Sequence, residues 1–251
     1  MNYCIKNSDM NLPNPLKHIP NTITLLNLFM GCLSVVSAFE GELLLSGYFI
    51  LVAAVLDYLD GFSARLLKAY SPLGKELDSL SDVVSFGVAP SVIMFQLLKN
   101  SLGIAAEEGF TSGHTILAVP FIMAAFSSLR LGIFNIDTRQ TTSFIGLPTP
   151  ANALFTVGLV LGLNSPFASI FQSVVSSSYI IIAMVLVQSA LLVSPIPMFS
   201  LKVKSFRFRE TWKQQLLIVL TLLTIFALGR AALAPVIVLY IVLSLVTWPF
   251  K

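Results

Sequence analysis

Long apolar runs broken by short polar stretches recur along the chain from Ile19 to Val246. Several approach or exceed the ~18–20 residues that an α-helix needs to cross the hydrocarbon of a bilayer. The pattern is not that of a membrane barrel, which would alternate apolar and polar positions over short strands. It predicts about eight helices, over residues 20–38, 44–68, 75–99, 114–136, 147–164, 178–198, 214–229 and 232–248. The helix over 147–164 opens on "GLPTPANALFTVGLVLGLN", with its prolines in the first turn, where a missing N–H leaves no helical bond unmade. The expected fold is an all-α integral membrane protein. No small-residue cleavage site follows the first apolar run, so that run is read as a retained helix rather than a signal peptide.

Composition agrees. Of 251 residues, 56% are hydrophobic and only 11% charged, against roughly 25% charged in a soluble domain. The distribution of charge says more than its total. With the N-terminus in the cytoplasm, one side of the membrane collects Lys6, Lys17, Arg65, Lys68, Lys75, Arg130, Arg139, Lys202, Lys204, Arg207, Arg209, Lys213 and Lys251. The other side keeps only Lys99 and Arg230, with Glu40, Glu42, Glu107 and Glu108. Such an excess of Lys and Arg marks the cytoplasmic face. It predicts an even number of crossings with both termini inside.

The remaining segments are less telling. Residues 1–19, with "MNLPNPLKHIP", form an interfacial segment or a flexible tail. Residues 200–213, "SLKVKSFRFRETWK", alternate basic and aromatic side chains, as loops lying on anionic headgroups do. No nucleic-acid partner is expected. Residues 214–251 read as a C-terminal helix pair. Cys4 and Cys32 have neither CxxC spacing nor companions, and imply no metal or disulfide framework.

The candidate chemistry lies in "VLDYLDGFSARLLKAYSPLGKELDSLSDVVSFGVAPS", residues 55–91. Asp57 and Asp60 are three residues apart on the second predicted helix and share a face, with Gly61 and Ala64 on it and Arg65 at its edge. Asp78 and Asp82 are four apart on the third and stack on one stripe, near Gly74, Ser81 and Ser85. The short connector "AYSPL" predicts antiparallel neighbours whose carboxylate faces converge. Four carboxylates cannot stay ionised together without compensation, and Arg65, Lys68 and Lys75 are too few. An all-oxygen set without His or Cys selects Mg²⁺, Mn²⁺ or Ca²⁺ over zinc. Two such ions suit a phosphate or pyrophosphate substrate. Small residues at Gly61, Ala64 and Gly74 give it access, Arg65 offers a fork of donors, and a spare aspartate can accept a proton from an attacking hydroxyl. Paired aspartates also line cation pathways, so a cation-coupled transporter is the rival of another class.

The spacing Asp-x2-Asp-Gly-x2-Ala-Arg-x8-Gly-x3-Asp-x3-Asp, here Asp57, Asp60, Gly61, Ala64, Arg65, Gly74, Asp78 and Asp82, resembles the signature of the CDP-alcohol phosphotransferases. The resemblance implies a six-helix membrane core, placed over residues 20–199, and usually a homodimer. It implies transfer of a phosphatidyl or similar group from a CDP-linked donor to an alcohol, with release of CMP. Asp57, Asp60 and Asp78 would bind two divalent cations, Mg²⁺ or Mn²⁺. Asp82 would be a further ligand or the catalytic base. Gly61, Ala64 and Gly74 would border the cytidine and pyrophosphate.

The stretches "IPNTITLLNLFMGCLSV", "ELDSLSDVVSFGVAPS", "RLGIFNIDTRQ" and "FIGLPTPANA" look most like the membrane-embedded branch of that family that makes phosphatidylserine. The likeness implies CDP-diacylglycerol and L-serine as substrates, at the cytoplasmic face of the inner membrane. Asn21 and Thr24 resemble positions that help hold the nucleotide, although Asn21 equally suits an N-cap. Arg130, Asn135, Arg139, Pro148 and Thr149 are the acceptor-binding candidates, and Asn135 equally suits a bridge between helices. The chain departs from the branch at Ile133, where a basic residue is usual. That leaves other acceptors open: glycerol phosphate, inositol phosphate or an amino alcohol.

Overall fold

The computed structural model describes residues 18–105, 112–136, 144–198 and 208–246. Arg139, nearly all of the 1–19 segment and residues 200–207 lie outside the described residues. The described chain is helical apart from a two-residue ladder. Helix α1 spans Ile19–Phe39 and α2 Leu43–Leu66. Helix α3, Pro72–Asp82, runs through a π-helical turn, Val83–Val88, into α4, Ala89–Ser101. A 3₁₀ stretch, Ser112–Ala118, leads to α5, Phe121–Ile136. Then come α6, Thr149–Leu163; α7, Ala168–Val175; α8, Ser178–Val193; α9, Phe208–Leu228; and α10, Leu233–Val246. Strands β1, Phe144–Ile145, and β2, Pro197–Met198, pair antiparallel and tie the start of α6 to the end of α8.

Five helical stretches are long and apolar enough to cross a membrane, or six if the bent pair α7–α8 counts as one. That is fewer than the eight the sequence predicts, and the difference has three local causes. Helix α6 has 15 residues, short of a full span. Helices α7 and α8 meet at 85°, and α8 ends at Val193 rather than 198. Pro195 pushes Ser194 into extended backbone, φ −66° and ψ 148°. Finally, residues 214–246 form one stretch of 33 helical residues. It is broken at Gly229, whose φ of +55° suits glycine. Leu217 and Tyr240 share a buried cluster with Leu147 and Met198, whereas a straight rod would hold the two about 35 Å apart. The stretch is therefore a hairpin. Helix α9 also starts at Phe208, six residues earlier than predicted, taking in the end of the basic segment.

Helices α1 and α2 pack along each other through a tight reversal. Gly41 takes φ +85°, Glu42 N donates to Ser37 O at 2.9 Å and Gly41 N donates to Ala38 O at 3.1 Å. This is a Schellman closure, which occupies carbonyls that the helix end leaves unbonded. Ser34 Oγ then donates to Ser46 O at 3.0 Å. Around this pair, Ile50, Phe86, Ile93, Met94 and Leu98 form the fully enclosed core. Small residues set the closest approaches, as they do where membrane helices pack without a hydrophobic drive. A Cβ on Gly31 would lie 2.9 Å from Ser85 Cα. Gly158 of α6 is likewise pressed against the backbone of Ala234 in α10. The outward faces are apolar, with Phe226 93% exposed, as a lipid-facing surface requires.

Candidate active site

Two helix termini build the site. Helix α2 ends in a second Schellman closure: Lys68 sits at φ +50°, Ala69 N donates to Ala64 O at 3.0 Å and Lys68 N to Arg65 O at 3.3 Å. Ser71 then caps α3, its Oγ accepting from Gly74 N at 2.9 Å, with Pro72 in the first turn. The short connector predicts that α2 and α3 are antiparallel neighbours with converging carboxylate faces. They face each other through their aspartates, with α1 packed along both and few close backbone approaches between α2 and α3 themselves. The gap between them is a cleft of about 530 Å³.

Hydroxyls on α3 and on the π turn fasten this stretch to α1. Ser81 Oγ donates to Thr24 O at 3.1 Å, and Ser85 Oγ donates to Asn27 O at 3.0 Å. Across the cleft, Thr24 Oγ1 donates to Asp60 Oδ2 at 2.7 Å. Helix α1 thereby holds the acidic faces of α2 and α3 in register. Carboxylate oxygens of Asp57, Asp60 and Asp78 all lie within 4.8 Å of one another. Asp60 is buried, and Asp57 and Asp78 are half-buried. Three carboxylates this close, with no His or Cys among them, can hold a hard divalent cation. Asp82 falls outside that trio. It is buried at the last position before the π turn, and its Oδ1 has no hydrogen-bond partner among the described residues. A π turn at a functional site is a recurrent arrangement, because its wider ring re-aims adjacent side chains.

The cleft brings together most of the predicted nucleotide residues. Asn21, Thr24, Asp60, Gly61, Ala64, Gly74 and Asp78 all line it, with Tyr70 and Lys75 at its edge. Arg65 is exposed and folds back toward Gly61, where an added Cβ would be 3.7 Å from Arg65 Nη1. At Gly74 an added Cβ would meet Asn21 Oδ1 at 3.0 Å and Ser71 Oγ at 3.1 Å. Helix α1 has its cap at His18, with no side-chain capping bond. Asn21 is therefore inside the helix, facing the cleft, and is not its N-cap.

The predicted acceptor residues do not form one group. Arg130 is buried, lies within electrostatic reach of Asp82 and Tyr240, and places its guanidinium 5.9 Å from the centre of the Phe134 ring. Its Nε has no hydrogen-bond partner among the described residues. Thr149 is buried at the start of α6, its hydroxyl likewise without a partner there, and Pro148 is half-buried beside it. Asn135 acts as a bridge: its Nδ2 donates to Ser79 Oγ at 2.7 Å, and its carbonyl accepts from Lys75 Nζ at 3.0 Å. Ile133 is 40% exposed, one turn from Arg130 but turned outward. The sequence reading missed Asn27, Ser127, Asn152 and Thr156, all buried with partnerless polar side-chain atoms. A signal existed: each recurs three, four or seven residues from a polar position already singled out.

Residues 17–196 match the family model described as CDP-alcohol phosphatidyltransferase. The chain belongs to that family. It is 30% identical over 239 residues to the CDP-diacylglycerol–serine O-phosphatidyltransferase of Helicobacter pylori (strain ATCC 700392 / 26695), covering 94% of this chain and 93% of the relative. The protein of that name from Mycobacterium leprae is 30% identical over 91% of this chain and 71% of its own. The one from Bacillus subtilis (strain 168) is 32% identical over 59% of this chain and 78% of its own.

Proposed function

We propose that this chain transfers the phosphatidyl group of CDP-diacylglycerol to L-serine, forming phosphatidylserine and CMP. The observation that carries the reading is the meeting of Asp57, Asp60 and Asp78 within 4.8 Å beside a 530 Å³ cleft. The names of relatives similar over almost the whole chain support serine as acceptor. The all-carboxylate donor set fits a hard divalent cation; Asp57, Asp60 and Asp78 would hold two ions, Mg²⁺ or Mn²⁺, which when bound would neutralise the diphosphate and the leaving CMP. Asn21, Thr24, Gly61, Ala64, Arg65 and Gly74 border the nucleotide, and the acyl chains stay among the helices.

In the reaction, the serine hydroxyl oxygen bonds to the phosphorus that carries diacylglycerol. The bond from that phosphorus to the bridging oxygen breaks, and CMP leaves with the electron pair. Asp82 takes the hydroxyl proton, or serves as a fourth ligand. Arg130 pairs with the serine carboxylate. The asymmetry of Lys and Arg supports an active site and both termini at the cytoplasmic face of the inner membrane. The family resemblance supports a homodimer.

The test is an assay on membranes with CDP-diacylglycerol, labelled serine and Mg²⁺ or Mn²⁺. Equal release of CMP and labelled phosphatidylserine is the expected result. Glycerol 3-phosphate, inositol phosphate and ethanolamine compete in the same assay. CMP release with one of these and not with serine would overturn the acceptor. Cation uptake by proteoliposomes without CMP release would overturn the enzyme.

A further inference from the structure

Beyond the acidic cleft the bundle encloses polar side chains that the reaction so far leaves unused. Asn152 has no exposed surface, and neither its Oδ1 nor its Nδ2 has a hydrogen-bond partner among the described residues. Thr149 and Thr156 on the same helix are buried, and their hydroxyls are equally unengaged. The three follow the i, i+3, i+7 spacing of one helical stripe.

Packing fixes where that stripe points. The opposite side of α6 meets α10, where Gly158 touches Ala234. Val157 and Val160, flanking the stripe's line, pack near Gly47 of α2. The stripe therefore faces the bundle interior, toward α2 and the π turn that follows Asp82. From α5, Ser127 packs on Gly87 of that turn, and Arg130 lies within reach of Asp82. Helices α5 and α6 are joined at this end, with Arg130 and Asn152 each less than about two turns from the junction.

Buried amides and hydroxyls without partners destabilise a fold, so this many in one interior imply a polar guest. The donors and acceptors are mostly neutral, with Arg130 and Asp82 the exceptions. A carboxylate finds donors in Arg130 and an amide Nδ2, and an ammonium finds acceptors in an amide Oδ1 and hydroxyls. A phosphate-bearing alcohol would require more fixed cations.

We infer that the α6 stripe is the wall that reads the acceptor, and that Asn152 selects a small zwitterionic amino-acid alcohol over alcohols lacking either charge. This rests on the proposed transfer to serine and adds the residue that recognises it. The test uses the full chain in lipid nanodiscs with CDP-diacylglycerol, metal and either serine or ethanolamine. Asn152→Ala raises the KM for serine about ten- to a hundredfold, leaves the KM for CDP-diacylglycerol unchanged and narrows the preference for serine over ethanolamine. Asn152→Ser, which keeps one donor and acceptor, regains part of the loss. An unchanged serine KM, or a parallel rise in both KM values, overturns the inference and reduces the stripe to helix packing. Should Asn152→Ala not accumulate as folded protein, Thr156→Val, which keeps the shape and removes the hydroxyl, must give the same split, and its absence overturns the inference equally. Wild-type protein that releases no CMP with serine defeats the proposed function instead.

Discussion

Thr24 Oγ1 donates to Asp60 Oδ2 at 2.7 Å, joining α1 to the acidic face of α2 across 36 positions of sequence. Asp60 is only 5% exposed. A buried carboxylate that accepts a short hydroxyl bond is restrained, so the bond helps fix the oxygen offered to a cation. Thr24→Val keeps the shape and removes the donor. Hydrogen bonds to charged groups contribute about 1.5–3 kcal/mol. The metal concentration for half-maximal turnover should therefore rise about tenfold or more, and Thr24→Ser should restore it. An unchanged metal titration would mean that Asp60 is oriented by other means.

Removing the cation tests the trio as a unit. Asp57, Asp60 and Asp78 place like charges within 4.8 Å, an arrangement that repels itself unless neutralised. Excess EDTA should abolish turnover, and Mg²⁺ or Mn²⁺ should restore it. Thermal unfolding in detergent should move to higher temperature as metal is added, because a ligand that binds only the folded state stabilises it. Asp78→Asn should remove both the turnover and most of the metal-dependent shift. Turnover that persists in EDTA would end the metal assignment.

At Gly74 the tight spot is polar. An added Cβ would be 3.0 Å from Asn21 Oδ1 and 3.1 Å from the capping Ser71 Oγ. Gly74→Ala should raise the KM for CDP-diacylglycerol severalfold, with a stability loss on the order of 1 kcal/mol through the disturbed cap. Asn21 is a side chain that can be trimmed. Adding Asn21→Ala to Gly74→Ala should recover stability but not substrate affinity, because Asn21 also lines the cleft. Recovery of both would leave Asn21 only a steric part.

Much of this site is legible in the sequence because it is local. The spacing of Asp57 with Asp60, and of Asp78 with Asp82, fixes shared helix faces, and one short connector brings the pairs together. What the sequence conceals is how helices meet at a distance. Nothing in it shows that α1 packs along both α2 and α3 beside the cleft, nor that the helix over 75–99 changes to a π turn right after Asp82. Asp82 stands next to that turn, outside the trio formed by the other three carboxylates. The eight predicted spans came from apolar length alone. Pro195, Gly229 and the short α6 interrupt that length through backbone geometry, which hydropathy does not measure. Asn152 and Thr156 stand in an apolar run, and only their enclosure makes them conspicuous.

Gly31 separates stability from function. Its missing side chain lets α1 approach the π turn so closely that a Cβ would sit 2.9 Å from Ser85 Cα, a backbone atom that cannot rotate away. Gly158 against Ala234 is the same kind of contact, at the α6–α10 junction. Alanine at either position should destabilise by about 1–3 kcal/mol, the range for overpacking. Only Gly31→Ala should also raise the metal requirement, because α1 carries Thr24. Thermal unfolding beside a metal titration distinguishes the two. A metal requirement raised equally by both variants would mean that the site responds to general loosening rather than to the position of α1.

Asn135 is the case in which the sequence offers two readings and the geometry favours one. Its Nδ2 donates to Ser79 Oγ at 2.7 Å and its carbonyl accepts from Lys75 Nζ at 3.0 Å, so it braces the end of α5 against α3. An amide already engaged in this way is poorly placed to read an acceptor. Asn135→Ala should lower stability by about 1 kcal/mol, the usual worth of a part-exposed hydrogen bond. It should lower kcat modestly through the position of α3, and leave the KM for serine within about twofold of wild type, a change well under 1 kcal/mol. Ser79→Ala should lose at least as much, because it also removes the bond from Ser79 Oγ to Lys75 O, and the double variant should fall little below Ser79→Ala, since the Asn135–Ser79 bond is already gone. A rise in serine KM confined to Asn135→Ala would return this residue to the acceptor site.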